Sequence, residues 1–298
     1  MKQRIITGIV MAIVLIPILL LGNWFMVACA SILAYIGTYE LIKMHCEKGK
    51  LSNIDQYIIP LASTLIVVLG GFVMLTDYIN LSHMFLALLA ILFIFMIFSL
   101  ITKNHKTSDF MIFFSFVLYG GLGVFLAVSS RFISSINGVT IDYLGLVLIG
   151  YLAICTMCTD IGAYAFGLML GKHKLCPTIS PKKTIEGAIG GSITGCALGS
   201  IFLICFQNIL GFNLLGINNN VLNIFAIIGM SLVITIVGQI GDLIASKIKR
   251  EYGIKDYGFI FPGHGGVMDR FDSLILTGTF FFILLSFIGV IAWEMYVC

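Results

Sequence analysis

Residues Gly241 to Asp272 read GDLIASKIKREYGIKDYGFIFPGHGGVMDRFD. Ten of the chain's 31 charged residues (17 basic, 14 acidic) fall within this one stretch. Asp242 closes an apolar run, at a helix end where the dipole disfavours an anion, so it needs a reason beyond local structure. Asp269 and Asp272 are three apart and share a helix face. They open the next apolar run, where a carboxylate is favoured anyway, a local reason that already serves Asp272. Carboxylates arriving from different helix ends suit a hard divalent cation, and Mg²⁺ takes one or two of them with water and phosphate oxygens. Gly263, His264, Gly265 and Gly266 follow Pro262 and form a turn whose backbone N–H groups can meet an anion without side-chain obstruction. It is not a Walker A loop, whose G-x-x-x-x-G-K-[ST] pattern is absent. Ser246, Lys249, Arg250, Lys255 and Arg270 add a hydroxyl, point charges and bidentate guanidinium groups for phosphate. His264 is either an acid or base or, between glycines and close after a proline, a residue that shapes the turn and touches phosphate.

These residues are carried by a very apolar chain. Of 298 residues, 59% are hydrophobic and 10% charged, and mean hydropathy is +1.09. A soluble domain of this length leaves too much surface wet to accommodate that composition. Nine apolar runs can be drawn, at approximately 5–21, 24–42, 57–75, 84–101, 110–128, 143–169, 185–206, 221–240 and 271–293. Each is near the roughly 20 residues a helix needs to cross a bilayer, and too long and continuous for a barrel strand. Gly22-Asn23 between the first two predicts a tight turn and a helical hairpin. With the N-terminus inside and the runs alternating, sixteen of the 17 Lys and Arg residues lie in cytoplasmic segments and only Arg131 lies outside. That bias predicts an all-α polytopic membrane protein with about nine transmembrane helices, a cytoplasmic N-terminus and an outer C-terminus. The net charge of +3 therefore marks a membrane face rather than a nucleic-acid partner. The start of the chain, with Ala28-Cys29-Ala30, resembles a signal peptide, but the apolar run continues past Trp24 without a polar break, so no cleavage is expected. The eight cysteines are scattered, and Cys155-x-x-Cys158 lies mid-span with no second pair, so they are expected to be core residues.

The chain divides in two. Residues 1–140 have short loops and no buried charge of note, and are expected to serve as a scaffold facing lipid. Residues 141–298 hold the chemistry, including cytoplasmic loops 170–184 and 241–270. Asp160 lies well inside the sixth run. A carboxylate at that depth costs about 2.5–3.5 kcal/mol on insertion, so it should face the bundle interior and have a partner, and it is a further metal candidate with Asp272. Ser180-Pro181 suggests a helix N-cap followed by proline, with Lys182, Lys183 and Thr184 in the first turn. Lysines there oppose the dipole but suit a bound anion, the alternative being a basic loop that anchors on the membrane. Gly187, Gly191, Gly195 and Gly199 recur every fourth residue, a stripe that lets another helix approach closely, in this subunit or another.

Together the signature residues Ser246-x-x-Lys249-Arg250, Lys255-Asp256-x-Gly258 and Pro262-Gly263-His264-Gly265-Gly266-x-x-Asp269-Arg270-x-Asp272 resemble the pattern of the phosphatidate cytidylyltransferases, or CDP-diacylglycerol synthases. Ser180-Pro181-Lys182-Lys183-Thr184-x-Glu186-Gly187 and Asp160-x-x-Ala163-Tyr164 match that family too, so its motifs cover residues 156–273 without departure. The resemblance implies an Mg²⁺-dependent transfer that joins CTP and phosphatidic acid into CDP-diacylglycerol and pyrophosphate for phospholipid synthesis. It implies that Asp242 and Asp269 are the metal ligands, with a second cation beside the first. It also implies an inner-membrane protein with its site on the cytoplasmic side. A homodimer through transmembrane helices is the further partner considered. Three other classes compete. A secondary transporter would explain Asp160 but not the glycine turn. A polyprenol kinase-like or CDP-alcohol transferase enzyme is a second, though the D-G-x-x-A-R core of the latter is missing. A non-catalytic scaffold would leave the charge cluster unexplained.

Overall fold

The computed structural model describes residues 2–49, 54–76, 78–79, 81–102, 106–136, 139–263 and 265–288, with backbone alone at 2–5, 99 and 107. Its helices are α1 (Lys2–Leu21), α2 (Asn23–Gly49), α3 (Asp55–Leu75), α4 (Leu81–Ile101), α5 (Thr107–Val117), α6 (Gly123–Ser129), α7 (Leu144–Leu170), α8 (Ile185–Leu210), α9 (Asn220–Glu251) and α10 (Met268–Phe287). A π-helical turn at Leu118–Leu122 joins α5 to α6. Eight helical stretches among the described residues are long and apolar enough to cross a membrane, and Ile6–Leu21 is a shorter apolar helix. The nine expected runs correspond to these, the last extending beyond the described residues. Ile13, Phe85, Phe93, Ile161 and Ile193 are all more than half exposed at the protein surface, an arrangement stable only where lipid is the solvent. The protein is therefore a predominantly helical, multi-pass membrane protein. Two small two-stranded antiparallel sheets interrupt it: β1 (Ser135–Ile136) with β2 (Val139–Thr140), and β3 (Lys174–Cys176) with β4 (Ser180–Thr184).

Two compact units emerge. The first comprises Met1–Val128 with Ile248–Phe271, so the signature loop belongs with the N-terminal helices. Gly22 and Asn23 both adopt positive φ, 63° and 43°, and make the expected α1–α2 turn. Close helix packing follows from small residues: a Cβ on Gly71 would come within 2.7 Å of Val27, and one on Gly121 within 2.8 Å of the Ser63 backbone. The Thr38 hydroxyl donates to Ser63 Oγ at 2.8 Å and ties α2 to α3.

The second unit comprises Ser129–Lys247 with Asp272–Cys298. Its spine is α7 against α8, and the glycine stripe faces α7 of the same chain. A Cβ on Gly187 would sit 2.7 Å from the Ala163 carbonyl, and one on Gly191 would sit 2.6 Å from the Thr159 carbonyl. A Cβ on Gly195 would sit 2.7 Å from the Cys155 carbonyl, and one on Gly199 would strike Cys155 Sγ. Gln239 of α9 donates to the Ala188 carbonyl at 3.0 Å and to Ser192 Oγ at 2.8 Å, so a polar group inside a span is satisfied by α8. The Tyr151 hydroxyl and Ser231 Oγ share a hydrogen bond of 2.7 Å between α7 and α9.

Gly191→Leu should sharply lower the yield of monodisperse protein in detergent, because the two backbones would be forced apart. Gly229, whose added Cβ would meet nothing within 4 Å, should accept alanine with unchanged yield. Equal behaviour of the two variants in size-exclusion chromatography would show that the stripe does not set the helix distance.

Candidate active site

The structure gathers the expected residues into two charge clusters, each within one unit. In the second unit, Lys183 forms an ion pair with Asp242, and both side chains are roughly two-thirds covered (29% and 31% exposed). Ser246, one turn along α9, faces Asp242 Oδ1 at 3.4 Å. Asp242 does not stand at a helix end as expected, because α9 runs on to Glu251, and its carboxylate is answered by the Lys183 cation across the sheet–helix junction.

Lys183 arrives there differently from expectation. Ser180-Pro181 does not start a helix: Ser180–Thr184 is strand β4, paired to β3 with Lys174 opposite Thr184 and Cys176 opposite Ser180. The N-cap of α8 is Thr184, whose hydroxyl accepts the Gly187 N–H at 3.1 Å. Glu186 accepts the backbone N–H groups of Lys172 and His173 and the His173 Nδ1 proton at 2.6 Å, fastening the α7–β3 turn. Lys182 is exposed and Ser180 half-buried on the same hairpin.

In the first unit the Lys249 ammonium donates to Asp269 Oδ1 at 2.7 Å. This pair is buried, with side-chain exposures of 11% and 3%. Lys249 also lies over the Tyr257 ring, 5.1 Å from its centre. Asp269 Oδ2 accepts the N–H of Tyr257 at 2.7 Å and of Gly266 at 2.9 Å. Gly265, at φ +87°, leaves room for that carboxylate: a Cβ there would lie 2.7 Å from Oδ2. One N–H of the glycine turn, that of Gly266, meets an anion, and the anion is the chain's own Asp269. The next two N–H groups, of Val267 and Met268, donate to the Glu40 carboxylate from α2, each at 3.0 Å.

The remaining candidates are more dispersed. Lys255, Arg250 and Arg270 are exposed, and Arg250 donates to the Ile254 carbonyl at 3.0 Å. Asp272 is buried and caps its neighbour Ser273 through a 2.7 Å bond to its N–H. Gly263 has a positive φ of 77°, and His264 lies outside the described residues. Asp160 is exposed on α7, not turned to the interior as its depth suggested. The interior face there is taken by Cys155, Thr159 and Ala163, which must meet the glycine stripe.

Residues 1–140 contribute more than a scaffold. Beyond Glu40, His45 bridges Asp109 (3.1 Å from Nε2) and the Tyr252 hydroxyl (2.8 Å from Nδ1). Lys48 donates to the Glu251 carbonyl at 2.7 Å, and the Thr7 hydroxyl to the Pro262 carbonyl at 3.0 Å. Burial pushes the Tyr252 phenol above its ordinary range, with the Glu251 and Asp109 charges adding to the shift. Glu40 was legible, since it lies within an apolar run and an ionisable residue there marks function by default.

The donors present are carboxylate and hydroxyl oxygens, which suit a hard cation. Among the described residues no group of three or more His, Cys, Asp and Glu gathers as a metal cage. A hard cation such as Mg²⁺ would need water and phosphate oxygens to complete its shell here, and Asp242, with its partly open face, is the better disposed of the two aspartates. Asp269 has both oxygens engaged and would share Oδ1 with Lys249.

A multi-pass helical protein with paired lysines and aspartates and a carboxylate-laced glycine turn has the makings of a membrane-embedded enzyme of phosphate chemistry. The chain belongs to the cytidylyltransferase family, whose model it matches over residues 2–288. It is 36% identical over 281 residues to the phosphatidate cytidylyltransferase of Staphylococcus aureus (strain COL), covering 92% of this chain and 95% of that one. It is 32% identical over 291 residues to the phosphatidate cytidylyltransferase of Bacillus subtilis (strain 168), covering 96% and 98%.

Removing one partner of a buried ion pair typically costs about 3–5 kcal/mol, because the other charge is left uncompensated. Asp269→Asn should therefore lower thermal stability in detergent as well as activity. Asp269→Asn combined with Lys249→Met should recover most of the stability and none of the activity. A single Asp269→Asn that melts like the parent would show that the pair is not buried in the folded protein.

Proposed function

We propose that this protein joins CTP and phosphatidic acid into CDP-diacylglycerol and pyrophosphate at the cytoplasmic face of the cell membrane, with Mg²⁺ as the cofactor. The observation that carries the reading is the pairing of each of the two aspartates expected to hold metal with a lysine, Asp242 with Lys183 and Asp269 with Lys249. Each pair balances its own charge, and each can redistribute that charge when a polyanion arrives. The family membership and the names of the relatives support the choice of substrates. The sixteen-to-one distribution of basic residues supports the cytoplasmic side, an inner N-terminus and an outer C-terminus.

The chemistry asks little of a general base. A phosphatidate oxygen, already anionic, forms a bond to the α-phosphorus of CTP, and the bond from that phosphorus to the bridging oxygen breaks in line to release pyrophosphate. The difficulty is bringing two polyanions together. Lys183 and Lys249 offset their charge, and the exposed Lys182, Lys255, Arg250 and Arg270 draw them in. Asp242 and Asp269 are each proposed as Mg²⁺ ligands, and the bound ion would screen the attacking and leaving oxygens. The spanning helices keep the lipid's phosphate at the depth of the loops.

The test is transfer of label from CTP into extractable lipid by detergent-purified protein supplied with phosphatidate, across a Mg²⁺ titration. Label should appear in lipid only when both substrates and the metal are present. No transfer by folded protein would sink the reading and favour a transporter. Asp242→Asn and Asp269→Asn should each lose on the order of 10³-fold in rate, and Asp256→Asn far less. A reporter fused to the C-terminus should be active outside the cytoplasm, and activity inside it would overturn the orientation.

A further inference from the structure

Among the described residues, Glu40 is the carboxylate that reaches the signature turn from the opposite end of the sequence. It stands on α2, 3% exposed, and accepts the N–H of Val267 through Oε1 and of Met268 through Oε2, each at 3.0 Å. Two glycines of the signature make room for it. A Cβ on Gly258 or on Gly266 would collide with the Glu40 carboxyl group. The same helix face brings Gly37 against Met268, where a Cβ would fall 2.7 Å from the sulfur. One side chain of α2 therefore holds the backbone through which the turn becomes helix α10.

That backbone leads directly into a signature aspartate. Asp269 is the next residue after Met268, and its Oδ2 accepts from Gly266, the residue before Val267. Glu40 and Asp269 thus take three consecutive N–H groups, those of Gly266, Val267 and Met268. With these three directions set, Asp269 Oδ1 is left aimed at Lys249. Two carboxylates sharing so short a segment repel one another, and the arrangement holds because every oxygen has a donor. Stability alone does not call for a charge in an apolar span: a well-packed hydrophobic residue in its place commonly serves as well or better.

We infer that Glu40 is a positioning residue, which sets the approach of Asp269 by fixing the backbone N–H groups on its N-terminal side. The inference rests on the function proposed above, in which Asp269 binds the metal and phosphates. Glu40, 3% exposed, acts through that backbone. Its chemistry is specific: both of its oxygens accept. A glutamine there offers one accepting oxygen and turns an NH₂ group toward the second N–H, donor against donor. An aspartate keeps both acceptors on a shorter arm.

The test compares Glu40→Gln, Glu40→Asp and Thr38→Val with the parent, each as full-length protein in detergent. Thr38 shares α2 but bonds to Ser63, away from the turn. Amide hydrogen exchange is followed on peptides covering residues 258–270, without CTP or Mg²⁺, and turnover is measured separately. Glu40→Gln should speed exchange in that segment while leaving α3 and α5 at parental rates. It should cut turnover about tenfold or more, the scale of one charge-assisted hydrogen bond. The loss should fall on kcat rather than on KM for phosphatidate. Glu40→Asp should recover part of both, and Thr38→Val should leave the segment's exchange as in the parent. Parental exchange and turnover in Glu40→Gln would overturn the inference, and so would exchange raised equally throughout the unit, which would make Glu40 an ordinary core residue. If the parent transfers no label, the proposed function fails by itself, and the exchange arm alone decides whether Glu40 holds the turn.

Discussion

Charge carried into oil must be answered locally, and most of the chemistry-bearing part of this protein follows from that constraint. Where lipid is the solvent, a carboxylate without a donor is expensive. Asp269 is answered by an ammonium group and two backbone N–H groups, Glu40 by two more, and Asp242 by Lys183. The glycine turn owes its form to the same need. Its lack of side chains admits the protein's own carboxylates, and only with those in place is a lysine–aspartate pair presented in one orientation. The turn is better understood as an internal anion site than as a cradle standing ready for phosphate.

Backbone proximity is the second device. On α8 the glycines at 187, 191, 195 and 199 meet Cys155, Thr159 and Ala163 of α7, at distances that leave no space for a methyl group. Between helices in lipid there is little hydrophobic drive to associate, so van der Waals contact at this range supplies the adhesion. That packing carries the N-terminal end of α8, and with it Thr184 and the hairpin strand bearing Lys183, to a fixed place in its unit.

Much of this was legible in the sequence where the signal is local. The apolar runs, the Gly22-Asn23 turn and the period-four glycine stripe depend on neighbours within a few residues, and all three stand in the structure. What depended on distant partners was not. Ser180-Pro181 has the look of a helix start, yet it pairs with a strand before it, and the cap falls on Thr184. The depth of Asp160 was plain, whereas its side of α7 was decided by which residues α8 claimed. The charge of Glu40 inside an apolar run was plain, but its partners Val267 and Met268, like Tyr252 for His45, lie more than two hundred residues away.

That separation bears on how the molecule comes into being. Val267 lies 227 positions after Glu40, and the first compact unit closes only when Ile248–Phe271 joins Met1–Val128. A chain made from its N-terminus inserts α2 early, with Glu40 still lacking the two amides that will hold it. All of the second unit up to Lys247 is synthesised in the interval. Contacts between such remote positions must close a long loop and so add to the sequence separation that slows folding. The signature turn accordingly cannot be fastened to α2 until the chain has been made at least as far as Met268.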